Sequence, residues 1–84
     1  MVNFKRYHSI YDLASYNDCS DYTVRKVLES FRINVVKNNG KQCINDCDLI
    51  WFNKCYALRK KYGLQFNFIS SLPQYIIKDL INRL

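Results

Sequence analysis

The residues best equipped for chemistry in this chain are cations, hydroxyls and amides, and they fall into clusters. One is Ser20-Asp21-Tyr22-Thr23-Val24-Arg25-Lys26. Arg25 offers a planar fork of N–H donors and Lys26 a compact point charge, a pair suited to phosphate oxygens and to the acceptor edges of bases. Another is Lys37-Asn38-Asn39-Gly40-Lys41-Gln42, where amines and amides crowd a short stretch able to bond phosphates and sugar edges. A smaller group, Lys5 and Arg6 beside Phe4 and Tyr7, reads as a basic arm. The candidate nucleic-acid contacts are therefore Ser20, Tyr22, Thr23, Arg25, Lys26, Lys37, Asn38, Asn39 and Lys41, with Lys5 and Arg6. Alone, each cluster is an ordinary solvated surface; the elements that carry them decide between the two readings.

Other chemistries find less support. His8 is the sole histidine, and no Ser–His–Asp set, paired glutamates or phosphate loop accompanies it, so the chain does not read as an enzyme. Cys43 and Cys47, with Cys55, Cys19 and His8, could be arranged as a zinc site. Zinc modules pair close ligands across a tight knuckle, whereas here one cysteine falls on a strand and another within a helix stripe. The four cysteines lack C-x-x-C spacing and read as free, reduced thiols, with no metal or cofactor expected. Arg59-Lys60-Lys61 closes a helix, where cations favour the macrodipole without any ligand.

Length and charge set the frame. Eighty-four residues with only two Gly and one Pro make one folded domain rather than a disordered chain. The formal charge of +6 suits an anionic partner. Its excess lies between residues 37 and 62, where Lys37, Lys41, Lys54, Arg59, Lys60 and Lys61 oppose Asp46 and Asp48. Neither a long apolar run nor an export signal is evident, and the expected location is the cytoplasm, away from membranes.

The elements follow from periodicity and caps. Ser9-Ile10-Tyr11-Asp12 has the form of a capping box, opening a helix from about Ile10 to Tyr16 that buries Ile10, Leu13 and Ala14. Asn17, Asp18 and Cys19 make the turn, and Ser20 caps a second helix whose Val24, Val27, Leu28 and Phe31 recur at i, i+3, i+4 and i+7. Ile33–Lys37 and Lys41–Asn45 read as strands joined at Asn39-Gly40, since a type I′ turn needs positive φ at both central residues. That register pairs Asn38 with Lys41, Val36 with Cys43 and Val35 with Ile44, turning Val35 and Ile33 onto the helices. Asn45 or Asp46 caps a third helix reaching Tyr62, ended by Gly63. It has two apolar stripes, Leu49/Phe52/Tyr56 and Trp51/Cys55/Leu58/Tyr62, and so needs two partners. Leu64-Gln65-Phe66-Asn67-Phe68 alternates and reads as extended. A last helix opens near Pro73, and its apolar residues Ile77, Leu80, Ile81 and Leu84 could close the monomer or form a homodimer interface. The expected fold is mainly α with a small β-hairpin: a helix-turn-helix over 9–31, a wing over 33–45, a third helix over 46–62 and a C-terminal helix over 72–84.

Residues 9–52, with Ile10-x-x-Leu13-Ala14, Ser20-x-x-Thr23-Val24-Arg25-Lys26-x-Leu28, a wing containing Gly40, then Ile44 and Asp48-Leu49, resemble the MerR-like and excisionase-like winged helix-turn-helix group. The resemblance implies that the second helix enters the major groove through Tyr22, Thr23, Arg25 and Lys26, and that Lys37, Asn39 and Lys41 hold backbone or minor groove. It departs from MerR-type regulators in lacking an effector domain and in its Asn-rich wing. The implied role is a small, sequence-guided duplex-DNA-binding protein, a transcriptional regulator or excisionase-like recombination factor of a mobile genetic element. Two other roles stand beside it: a replication accessory that binds single-stranded DNA or a polymerase or helicase, and a protein-interaction module such as a phage-type inhibitor.

Overall fold

A computed structural model describes residues 7–84. In chain order the elements are β1 (Tyr7–Ser9), α1 (Ile10–Asn17), α2 (Asp21–Ser30), β2 (Val36–Asn38), β3 (Lys41–Asn45), α3 (Asp46–Tyr62), α4 (Phe66–Ser71) and α5 (Gln74–Asn82). The fold is mainly helical, with a small antiparallel sheet in the order β1-β3-β2.

Local chemistry sets most boundaries. Ser9 Oγ accepts from the Asp12 N–H at 3.1 Å, and an Asp12 carboxylate oxygen accepts from the Ser9 N–H at 3.0 Å, the reciprocal capping box of α1. Asp18 (φ 51°) turns left-handed after α1, letting the Cys19 N–H reach the Ala14 carbonyl at 3.0 Å. Two residues later Ser20 Oγ accepts from the Thr23 N–H at 3.1 Å and α2 begins. α1 and α2 thus pack together across the turn Asp18-Cys19-Ser20, with Ala14 buried.

α2 ends in a Schellman motif: the Ile33 N–H bonds the Leu28 carbonyl at 2.9 Å and the Arg32 N–H bonds that of Glu29 at 3.2 Å. Arg32 holds the left-handed position (φ 56°) usually given to glycine. Its guanidinium donates to the Ser70 carbonyl at 3.0 Å and the Leu72 carbonyl at 2.6 Å, fastening the α4–α5 junction to the end of α2.

The hairpin has the expected two-residue loop, with Asn39 at φ 52°, Gly40 at φ 77°, and Asn38 opposite Lys41. Its first strand is shorter than the residue pattern suggests. Ile33 is spent on the Schellman turn, buried with Leu28, so the ladder starts only at Val36 and Val35 is left exposed. Ile44 pairs not with Val35 but with His8 of β1, a strand hidden from periodicity because its inward residue is polar. His8 is buried, with Nε2 2.5 Å from Asp46 Oδ1 and Nδ1 3.2 Å from the Tyr16 hydroxyl, so it ties β1 to α3 and α1.

Asn45 caps α3 through the Asp48 N–H at 2.8 Å, and Gly63 (φ 61°) ends it. α3 packs on α2 and the sheet and also on α5, the two partners its stripes require. The segment expected to be extended is instead partly α4. Its short alternation, Leu64/Phe66/Phe68, is overridden by the i, i+3 pair Phe66 and Ile69, which turns Ile69 fully inward as α4 packs on α2 while Phe68 stays exposed. In α5, Ile77 and Ile81 are buried in the chain's own core and Leu80 is half-buried, while Leu84, past the helix end, is exposed. Of the four residues considered for a dimer interface, two are therefore consumed within the monomer. One cluster that includes Leu13, Val24, Val27, Phe31, Ile44, Phe52, Leu58, Ile69 and Ile77 joins all five helices and β3. Among the described residues no helix is long and apolar enough to cross a membrane.

Candidate nucleic-acid interface

The outward side of α2 has two rows at i, i+4 spacing: Asp21, Arg25 and Glu29 on the row toward the hairpin, Tyr22 and Lys26 on the next. Lys26 Nζ lies 5.6 Å from the centre of the Tyr22 ring, a cation–π pair that keeps the ammonium at the surface. Arg25 has a carboxylate one turn before it and another one turn after, yet its Nη1 donates to neither. It bonds Gln42 Oε1 on β3 at 3.0 Å, bridging helix and hairpin. Among the described residues Arg25, Lys26, Lys37 and Lys41 form no ion pair.

Between α2, the hairpin and the start of α1 runs an open groove of about 810 Å³. Arg25, Asn38, Asn39, Lys41 and Gln42 line it, together with Asp12, Asp21, Tyr7 and Tyr11. Of the sequence candidates, Arg25, Asn38, Asn39 and Lys41 are thus brought together. Tyr22 and Lys26 are near α2's outer surface but off the groove wall, and Lys37 is exposed on the edge strand β2. Ser20 and Thr23 are occupied by the helix cap, their hydroxyls 3.1 Å apart. Lys5 and Arg6 lie outside the described residues. Gln42 was legible only as part of a polar tip; its place on the same strand face as Ile44 is the period-2 signal that turns it toward α2. Tyr11, 74 % exposed on α1, carried no signal beyond its helical position opposite the core.

The charge of α2's outer side balances, with Asp21 and Glu29 against Arg25 and Lys26. The basic run at the end of α3 is paired with rings rather than acids: the Arg59 guanidinium lies 3.9 Å over Phe66, Lys60 6.0 Å over Tyr56 and Lys61 5.4 Å over Tyr62. The cysteines are dispersed and free, with Cys43 and Cys55 buried, Cys19 half-buried and Cys47 exposed. Burial pushes the Cys55 thiol up to about 12. Burial also raises Cys19, which meets the Tyr56 hydroxyl, and Tyr56 is raised by its own burial and by Cys19. Among the described residues no three His, Cys, Asp or Glu side chains gather to hold a metal.

No known family model, curated protein or solved structure matches this chain.

Proposed function

We propose that this chain is a winged helix-turn-helix protein that binds duplex DNA in a sequence-guided way, as a transcriptional regulator or excisionase-like recombination factor. In this reading α2 enters the major groove and the β2–β3 hairpin acts as the wing. The observation that carries it is the Arg25–Gln42 bridge, which joins α2 to the hairpin beside a groove that Lys41, Asn38 and Asn39 also line. Arg25 and Lys26 would supply base-edge and phosphate contacts, and Lys37, Asn38, Asn39 and Lys41 would hold the backbone. Fluorescence anisotropy on a labelled random duplex over a range of salt tests the reading. Each phosphate neutralised contributes a slope of about −0.9 in log K against log salt, so the four cations predict a total of roughly −3 to −4. A binding constant indifferent to salt would sink it.

A second reading keeps the fold and exchanges the ligand for unpaired bases. The exposed rings of Tyr7 and Tyr11 on the groove wall favour it, since aromatic faces stack bases without regard to sequence. Competition between duplex and single-stranded oligonucleotides separates the two. A tighter single-stranded complex that is lost on Tyr11→Ala would select the second.

A further inference from the structure

We propose that Gln42 is a specificity-determining residue that holds the donor fork of Arg25 in place as a reader of guanine. The inference rests on the duplex-DNA reading and names what its groove prefers.

Arg25 has other partners within reach of its length. Asp21 and Glu29 stand four residues away on either side, the spacing at which Arg and carboxylate commonly pair on a helix. Its guanidinium nevertheless crosses to β3 and bonds Gln42 Oε1 at 3.0 Å. A guanidinium only donates, so the amide must present its oxygen to Arg25 and turn its NH₂ group away. Two consequences follow. The bidentate contact that glutamine makes with adenine would have to share that oxygen with Arg25, on its second lone pair. The joint surface of Arg25 and Gln42 is richer in N–H donors than in acceptors. Guanine presents two acceptors, N7 and O6, in the major groove, whereas adenine pairs its acceptor with a donor and cytosine shows a donor. A donor-only fork held still by a neutral partner therefore favours guanine.

The neutrality of that partner matters. A carboxylate in its place would cancel the charge of Arg25 and weaken its pull on any acceptor. Asp21, on the wall of the same groove, adds selection of a second kind. Its negative charge disfavours phosphate beside Arg25, which leaves Arg25 to base edges and the backbone to Asn38, Asn39 and Lys41.

Gln42 is exposed, so its replacement should leave the fold intact. The test is selection of bound fragments from a randomised duplex library by the full chain, by Gln42→Ala and by Gln42→Glu, with thermal unfolding as control. The wild type should enrich a guanine at one position. Gln42→Ala should lose at least about fivefold of the guanine-over-adenine preference, at the lower end of what a bidentate contact supplies. Gln42→Glu keeps an acceptor for Arg25 but adds a charge, and should recover only part of the guanine preference while binding all duplexes more weakly. Undiminished guanine preference in Gln42→Ala overturns the assignment, as does a wild type that enriches no guanine. A wild type with no salt-dependent duplex binding removes the underlying functional reading as well, and the random-duplex measurement tells that failure from the narrower one.

Discussion

Arg25 and Lys26 are neighbours in sequence but stand on different rows of α2, one tied to Gln42 and the other over Tyr22. Neither is part of the core, so their joint replacement by Ala should abolish preference for a cognate site and shift stability by no more than about 0.5 kcal/mol. Site preference that survives the double change, measured by competition against random duplex, would remove α2 as the reading element. The thiols make a separate prediction. Only the thiolate reacts with iodoacetamide, so at pH 8 Cys47 should be alkylated first, while Cys55, neutral up to about 12, should stay unmodified until the chain unfolds. Its raised value also sets a pH dependence. The folded state holds the Cys55 proton more tightly than the unfolded chain, whose thiol has a value near 9.0, so the stabilisation is complete below about pH 9 and lost as pH rises through about 12. Thermal unfolding followed from pH 8 to 11 should fall more steeply for the wild type than for Cys55→Ala. At this scale the sequence named the cations but not their partners. A helix pattern says which way Arg25 points and nothing about whether its fork prefers Asp21, Glu29 or a strand.

Caps and turns were the most legible elements, because a single side chain or a single φ decides each. Ser9, Ser20, Asn39-Gly40, Asn45 and Gly63 all stand where their chemistry predicts. The failures share a cause: the deciding partner is distant in sequence. β1 exists because β3 offers it an edge, and its inward residue is a histidine satisfied by Tyr16 and Asp46. α4 exists because α2 has an apolar face for Ile69, and five residues of alternation could not reveal that. Ile69→Ala should therefore cost about 2–5 kcal/mol in chemical denaturation, the range for emptying a buried aliphatic site. A loss under 1 kcal/mol would mean that α4 is not docked as described. Arg32 separates two effects at the end of α2. Arg32→Ala loses both carbonyl bonds and keeps the left-handed backbone, for an expected loss of about 1–2 kcal/mol. Arg32→Gly loses the same bonds but relieves the backbone, and should recover roughly 1 kcal/mol of that. Equal losses in the two variants would show that the backbone contributes nothing.

Across the whole molecule a single core joins all five helices, with members from Ile10 to Ile81 along the chain. α5 is part of that core and not an appendage. A chain ending at Ser71 lacks Ile77 and Ile81 and should lose its cooperative thermal transition rather than merely change its oligomeric state. Sedimentation and calorimetry on the shortened chain check this together; a cooperative transition at unchanged temperature would return those residues to the role of an interface. Net charge and its concentration between residues 37 and 62 were readable at once, but not what the cations stand against. Those at the end of α3 lie over rings, and Arg25 and Lys26 meet Gln42 and Tyr22.

Arg32 grips main-chain oxygens, and every amino acid supplies one. The identity of the exposed residue at position 70 is therefore of no concern to the grip, whereas at position 32 lysine lacks the fork to span two carbonyls, and only glycine offsets the lost bonds by easing the backbone. In a library varied at both sites and sorted for folded protein, Ser70 should drift widely while position 32 stays with Arg or Gly. The two halves of one clasp would then evolve at very different speeds.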